Sequence, residues 1–296
     1  MLSRSRTALL LAFLVLVWGI NWPLSKHALL YSPPLLFAGL RLIIAGVLLL
    51  IVAIPRFKKL RFRETWPLYL ISSLFNIVLY YGLQTVGLNY LPAGLFSAIV
   101  FLQPVLLGIC AWLWLGERMY GLKIAGLVLG FLGVAVIGGG GLTGSLSPVG
   151  VSLALASAVS WTLGTVYMKR ITDKVDVIWI TTLQILIGGI VLLGYGLITE
   201  KWSDIQWNTS FISDILFISV FVIAIGWLIF FKLVGSGEAS TVGSYTFLIP
   251  VISIICSVLF MNESLTMNLI AGFIMIVGSI ILVNATGKRR AKQLTR

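Results

Sequence analysis

Ten long apolar runs dominate this chain of 296 residues and leave little else to build with. They cover roughly residues 7–29, 34–54, 66–88, 92–114, 121–140, 149–168, 177–198, 212–233, 239–260 and 266–285. A membrane-crossing helix takes about 20 apolar residues, so each run is one span. Hydrophobic residues make up 59% of the chain and charged ones 10%, against about a quarter charged in a soluble domain. That balance excludes a soluble enzyme, a disordered chain and a disulfide-stapled secreted domain. In lipid an unpaired backbone amide costs several kcal/mol, which leaves only helices or closed barrels. The runs are continuous rather than alternating, which excludes a barrel. The expected fold is all-α and integral to a membrane, with ten transmembrane helices and no room for a soluble domain. Cys110 and Cys256 lie within apolar runs and say nothing about redox compartment.

Charge predicts the orientation. With the N-terminus in the cytoplasm, all of the 21 Lys and Arg residues except Lys26, Arg41 and Lys201 fall on the inner side. This is the positive-inside pattern, and an even number of spans puts both termini inside. A net charge of +12 invites a nucleic-acid reading. The basic cluster from Pro55 to Arg63 instead sits where an anionic inner leaflet would hold it, so no nucleic-acid partner is expected. Arg4 and Arg6 ahead of an apolar stretch imitate a signal peptide. No small-residue cleavage site follows, and the stretch reads as a retained first helix.

The second half of the sequence repeats the first. A shift of 143 residues lays Trp18 on Trp161, Lys26 on Lys169, Arg41 on Gln184 and Gly46 on Gly189. A shift of 146 lays Gln103-Pro104-Val105 on Ile249-Pro250-Val251, Cys110 on Cys256, Glu117 on Glu263 and Ile124-Ala125-Gly126 on Ile270-Ala271-Gly272. The two units are residues 1–144, with spans one to five, and residues 145–296, with spans six to ten and a basic cytoplasmic tail. Five spans per unit is odd, so the second unit enters the membrane upside down. Inverted repeats supply two nearly equivalent conformations, one open inward and one outward, with the site at the repeat interface near mid-membrane.

The order of these motifs resembles a known family. Trp18-Gly19-Ile20-Asn21-Trp22 with Lys26, then Arg41, Gln103-Pro104, Leu115-Gly116-Glu117-Arg118, Gly126 and Gly133 resembles an EamA-type repeat. Trp161, Pro250, Asn262-Glu263-Ser264 and Gly272 echo it in the second half. The whole chain resembles a ten-helix member of the drug/metabolite transporter superfamily. It departs from the pattern at Gln184, where the second copy lacks the intramembrane Arg, and at Asn262-Glu263, which replaces Gly116-Glu117. The resemblance implies a small-molecule permease of a bacterial plasma membrane that exports amino acids, other metabolites or toxic compounds. It also implies a cavity among spans one, three, four, six, eight and nine.

Individual residues carry different weights. Arg41 lies about a third of the way into the second span, where a cation costs about 2.5–3.5 kcal/mol on insertion scales. Helix-end carbonyls, a water-filled cavity or an anionic substrate group would offset that cost. Arg41 therefore reads either as a structural tie between helices or as a substrate or gating residue. Trp18 and Asn21, near Pro23, are cavity candidates, and Trp22 reads as an interfacial anchor. Pro104 and Pro250 occupy matching places and mark a hinge or site, with Gln103, Ser97 and Tyr245 close by in sequence to hydrogen-bond a solute. Tyr81 and Gln84 in span three, Trp161 in span six, and Trp227 and Phe230 in span eight suit a mostly aromatic pocket. Tyr81 aligns with Trp227. Glu117 and Glu263 at span ends read as gating or structural groups. His27 reads as solvated surface, and Gly126, Gly130 and Gly133 as a packing seam whose partner is open.

All nine acids fall at loops or span boundaries, which speaks against a carboxylate proton relay. The sequence has no HExxH helix, no Cys/His cluster and no GxxxxGK[ST] loop, so no catalytic residue, metal or cofactor is expected. A secondary transporter is the leading expectation, with a small-molecule substrate and the lipid bilayer as partners and a homodimer allowed but not required. A membrane-embedded enzyme and a non-transporting scaffold or receptor are the competing readings.

Overall fold

The computed structural model describes residues 4–91, 93–139, 147–261 and 267–293. Every regular element among them is a helix. Helix α1 (Arg4–Ala28) passes through Pro23 without a break and leads to α2 (Pro34–Ala53). The pair α3 (Phe62–Ser73) and α4 (Tyr80–Gly87) forms one rod, joined by a π-helical stretch at Leu74–Leu79. Then come α5 (Ala93–Val100), α6 (Gln103–Leu115) and α7 (Gly121–Gly139). The second half runs through α8 (Pro148–Ile171), α9 (Val177–Thr199) and α10 (Thr209–Phe217). A second π-helical stretch, Ile218–Ile225, joins α10 to α11 (Gly226–Ser236). The last three are α12 (Ala239–Tyr245), α13 (Leu248–Met261) and α14 (Met267–Gln293).

Seven helical segments are long and apolar enough to cross a membrane: Ser5–Ala28, Pro34–Lys59, Phe62–Gly87, Phe96–Leu115, Pro148–Ile171, Val177–Thr199 and Thr209–Ser236. Three shorter apolar segments, Gly121–Val136, Ala239–Ser253 and Ile270–Val283, complete the bundle. The ten segments fall on the ten apolar runs of the sequence.

Neutral polar side chains are buried in the interior while large apolar ones face outward, as lipid allows. Asn76, Gln84, Gln103 and Gln184 are fully buried, while Ile198 is 83% exposed and Ile190 and Ile281 are each 62% exposed. Water would reverse that distribution. The chain is a multi-pass membrane protein.

Local chemistry sets the helix boundaries. Asp176 caps α9 by accepting from the backbone N–H groups of Ile178 and Trp179, and Asn208 caps α10 through Phe211 N–H. The start of α2 has no cap of its own, and the Glu200 carboxylate, just past α9, accepts from Leu35 and Leu36 N–H instead. Gly116 ends α6 in the left-handed region at φ 68°, a conformation that favours glycine.

The helices pair in a pattern that the two halves share. Helix α2 lies along α9, and α7 along α14. Helix α1 meets α13 and the Ile218–Ile225 stretch, while α8 meets α6 and the Leu74–Leu79 stretch. The glycine seam of α7 faces α14 of the same chain: a methyl on Gly126, Gly130 or Gly133 would press on Ser279, Val283, Gly272 or Ile276. The question of its partner is thereby answered within the chain.

Candidate functional site

Four helices and the break between α5 and α6 deliver aromatic rings to one place. Trp18 of α1 sits with its ring centroid 5.6 Å from Trp161 of α8, 5.5 Å from Trp227 of α11 and 5.2 Å from Phe230. Tyr80 of α4 lies 5.2 Å from Trp161, and Phe101, between α5 and α6, lies 6.2 Å from both Trp161 and Trp22. Edge-on and tilted contacts of this kind suit ring quadrupoles and leave faces free for a ligand. The rings surround a cavity of about 10 Å³, room for about one water. Its walls are Trp18, Asn21, Trp22, Tyr80, Tyr81, Phe101, Trp161, Val222, Trp227 and Ile249. Pockets for organic ligands hold about 300–1,000 Å³, so the rings must part to admit one.

The polar atoms of this chamber are sparse and specific. Trp227 Nε1 donates to the Tyr81 hydroxyl at 2.7 Å, across the cavity from α11 to α4. Trp18 Nε1 donates to the Val222 carbonyl at 3.0 Å. That carbonyl belongs to the second π-helical stretch, where the widened turn frees backbone groups for outside partners. The first π-helical stretch is used the same way, with Ser160 Oγ donating to the Phe75 carbonyl at 2.7 Å. Trp161 Nε1 and both amide atoms of Gln84 and of Gln103 are buried without a hydrogen-bond partner.

Arg41 stands behind the chamber wall, fully buried. Its Nη1 donates to Ser25 Oγ at 3.0 Å and its Nη2 to Thr85 Oγ1 at 2.8 Å. Its guanidinium lies 4.5 Å from the Phe37 ring centroid and 4.9 Å from that of Tyr81. Ser25 Oγ donates onward to Asn21 Oδ1 at 3.1 Å, so a hydrogen-bonded chain links Arg41 to the cavity. The corresponding Gln184 is also buried, and its Oε1 accepts from Ser72 Oγ at 2.5 Å and Asn76 Nδ2 at 3.3 Å.

A wider apolar groove of about 720 Å³ runs between the first half of α1 and the α12–α13 segment, lined by Leu11, Val15, Tyr245, Leu248 and Ile252 among others. Its lining residues Leu16 and Leu248 are close neighbours in sequence of Trp18 and Ile249, which belong to the chamber. Gly19 lets α1 approach closely, since a Cβ there would lie 2.5 Å from Ile252 Cβ.

Polar contacts close the bundle at both ends. At the end where α1 finishes, Lys26 Nζ donates to the Leu88 carbonyl, and His27 Nδ1 lies 2.6 Å from Asp214 Oδ2. At the end where α8 finishes, Lys169 Nζ donates to the carbonyls of Val234 at 2.8 Å and Gly237 at 2.6 Å. There the Glu117 carboxylate accepts from Ala239 N–H at 2.6 Å and from Ser240 Oγ, capping α12. Lys123 Nζ holds Glu117 at 3.4 Å and Glu238 at 3.0 Å.

The structure sorts the residues singled out by sequence. Trp18, Asn21, Tyr81, Trp161 and Trp227 line the chamber, and Phe230 touches its rings. Gln84, Ser97 and Gln103 are buried but do not line it. Tyr245 lines the lateral groove instead, at the end of α12 just before the helix break at Thr246–Phe247. Trp22 is no interfacial anchor: it is 2% exposed and forms part of the chamber wall. His27 is not free surface but pairs with Asp214. Glu117 serves structurally as the cap of α12. Breaks in the helical rods fall at Phe101–Leu102, just before Pro104, and at Thr246–Phe247, just before Pro250. Glu263 lies outside the described residues.

Comparisons with known proteins agree with this architecture. Residues 5–139 and 148–285 each match the EamA-like transporter family. The chain is 64% identical to a Bacillus subtilis protein named uncharacterized transporter YvbV, over 97% of this chain and 94% of that one. It is 27% identical to an Escherichia coli protein named "Probable amino-acid metabolite efflux pump", over 97% of each. A solved crystal structure with 20% identity superposes with a TM-score of 0.84, covering 97% of this chain and 99% of that one, and it supports the fold alone. With both halves matched, and a relative this similar over nearly its full length, the chain belongs to the EamA-like transporter family.

Proposed function

We propose that the protein is a secondary transporter that exports small organic metabolites, amino acids and related compounds among them, by alternating access between two inverted five-helix halves. The halves are residues 1–144 and 145–296, giving ten spans with both termini cytoplasmic in a bacterial plasma membrane. The protein acts as a carrier and not as an enzyme, with the small-molecule substrate and the surrounding lipid as its partners. A second copy is not required.

One observation carries the reading: an aromatic chamber shut at both ends by lysine caps at matching positions. Lys26 and Lys169 are 143 residues apart, and their acceptors Leu88 and Val234 are 146 apart. Helix α1 ends beside Leu88, whereas α8 begins beside Tyr90 and Leu91 and ends beside Ser72. The two helices thus run antiparallel, as inverted halves require. Releasing one cap while keeping the other opens the chamber to one side only, which is alternating access in physical terms. The groove between α1 and the α12–α13 segment supplies the inner approach. Pro104 and Pro250, Glu117 and Glu263 serve gating, Arg41 behind the chamber wall serves the substrate or the gate, and Trp18, Asn21, Tyr81, Trp161, Trp227 and Phe230 contact the solute, with Gln84, Ser97, Gln103 and Tyr245 along its path. The names of relatives, including the amino-acid metabolite efflux pump, favour the same substrate range.

The test is flux in proteoliposomes across a panel of amino acids and toxic analogues, with product analysis. Solute movement without covalent change is the expected result. Covalent conversion, or no movement of any solute, would contradict it.

A further inference from the structure

We infer that Arg41 is the receptor for a carboxylate on the transported solute, and that the protein moves monoanions outward down the membrane potential without a coupled ion. The inference rests on the transport reading above and narrows its substrate class.

Arg41 is a buried cation whose partners are neutral. It bonds two hydroxyls and two aromatic faces, its Nε has no partner, and no carboxylate among the described residues pairs with it. A buried charge normally finds a counterion. A purely structural tie does not need the charge, since Gln184 fills the matching place in the other half with a neutral amide. Arg41 is also reachable. It contacts the Tyr81 ring and, through the Ser25–Asn21 relay, reaches two residues of the chamber wall. Tyr81 is held in place by Trp227, so the parting of rings that admits a solute also uncovers the guanidinium. Gln84, on the same face of α4 as Tyr81 and Thr85, offers an unpartnered amide for a second polar group on the solute.

The driving force follows from charge. Among the described residues no carboxylate lines the chamber, and the buried Asp214 of α10 is taken up by His27, so none stands beside the solute to carry a proton with it. The fixed guanidinium does not cross the membrane, and one negative charge moves per monoanion. An inside-negative potential of ordinary size then sustains an outward gradient of roughly 50-fold.

The experiment uses the full chain in detergent and in proteoliposomes, with mandelate, 4-methyl-2-oxopentanoate, mandelamide and phenylethanolamine as probes. Quenching of intrinsic tryptophan fluorescence reports binding, and solid-supported-membrane current reports charge movement. The carboxylates are expected to bind at least tenfold more tightly than mandelamide and the amine. They should also carry a current that grows several-fold when a potassium–valinomycin potential makes the donor side negative, and that ignores an imposed pH gradient. Arg41→Gln should lose at least tenfold in carboxylate binding, and Arg41→Lys should keep part of it. Equal binding of mandelamide, a current set by the pH gradient, or unchanged carboxylate binding in Arg41→Gln would overturn the inference while leaving transport intact. Failure of every probe, whatever its charge, to bind or move would strike the transport reading itself. The comparison among probes on the unaltered protein decides the matter even if a variant fails to fold.

Discussion

Lys26 and Lys169 lie at opposite ends of the bundle, each donating its ammonium to the last carbonyls of a neighbouring π-interrupted rod. Lys26 reaches one carbonyl and Lys169 reaches three, at Val234, Gly235 and Gly237. A hydrogen bond from a charged donor contributes about 1.5–3 kcal/mol. Lys26→Met should therefore favour opening at the α1 end, and Lys169→Met opening at the α8 end with the larger shift. Thiol labelling of cysteines placed in the chamber, applied from each side of the membrane, reads the direction.

The bond from Trp227 to Tyr81 is the latch of the chamber itself. Tyr81→Phe leaves the indole N–H buried and unpaired, a penalty of about 1–3 kcal/mol on the closed arrangement. Acrylamide should quench tryptophan fluorescence more strongly in this variant than in the unaltered protein. Equal quenching would mean that ring packing alone keeps the chamber shut.

Glu117 joins α6 to the start of α12 by accepting from Ala239 N–H and Ser240 Oγ. Glu117→Gln removes the charge that complements the helix N-terminus and leaves buried Lys123 with Glu238 as its remaining anion. A loss of about 1–2 kcal/mol, seen as a lower Tm in detergent, is expected from the cap alone.

Gly39 sets the spacing of α2 against α9. A Cβ there would lie 2.5 Å from the Leu193 Cα, which is backbone and cannot swing aside. Gly39→Val should cost about 1–3 kcal/mol by overpacking, again read as a fall in Tm. The same change at Gly194, where a Cβ meets nothing, should leave Tm within a degree or so.

Much of this was legible in the residues. Apolar runs of span length mark the ten helical segments, because lipid rewards nothing else. The offset between Trp18 and Trp161 exposes the repeat, and prolines 104 and 250 mark where two rods break. Other features were hidden for physical reasons. The π-helical stretches Leu74–Leu79 and Ile218–Ile225 read as ordinary apolar helix, since the side chains that bond their carbonyls, Ser160 and Trp18, lie 85 and 204 residues away. Trp22 looked interfacial because an indole suits both a headgroup layer and a pocket wall. His27 looked exposed because its partner, Asp214, lies 187 residues away. Tyr245 looked central because sequence distance to Pro250 does not say which way a broken helix turns. Hydropathy separates membrane from water, but it does not separate lipid neighbours from protein neighbours.

The inverted arrangement of the two halves is the claim on which the rest depends. Tyr90 and Ser236 are exposed and occupy matching positions, 146 residues apart, just past the ends of α4 and at the end of α11. With Cys110 and Cys256 replaced by Ser, Tyr90→Cys and Ser236→Cys can each be labelled with a membrane-impermeant maleimide in intact cells and in inverted vesicles. The account predicts labelling of Tyr90→Cys from outside only and of Ser236→Cys from the cytoplasmic side only. Labelling of both from the same side would contradict it.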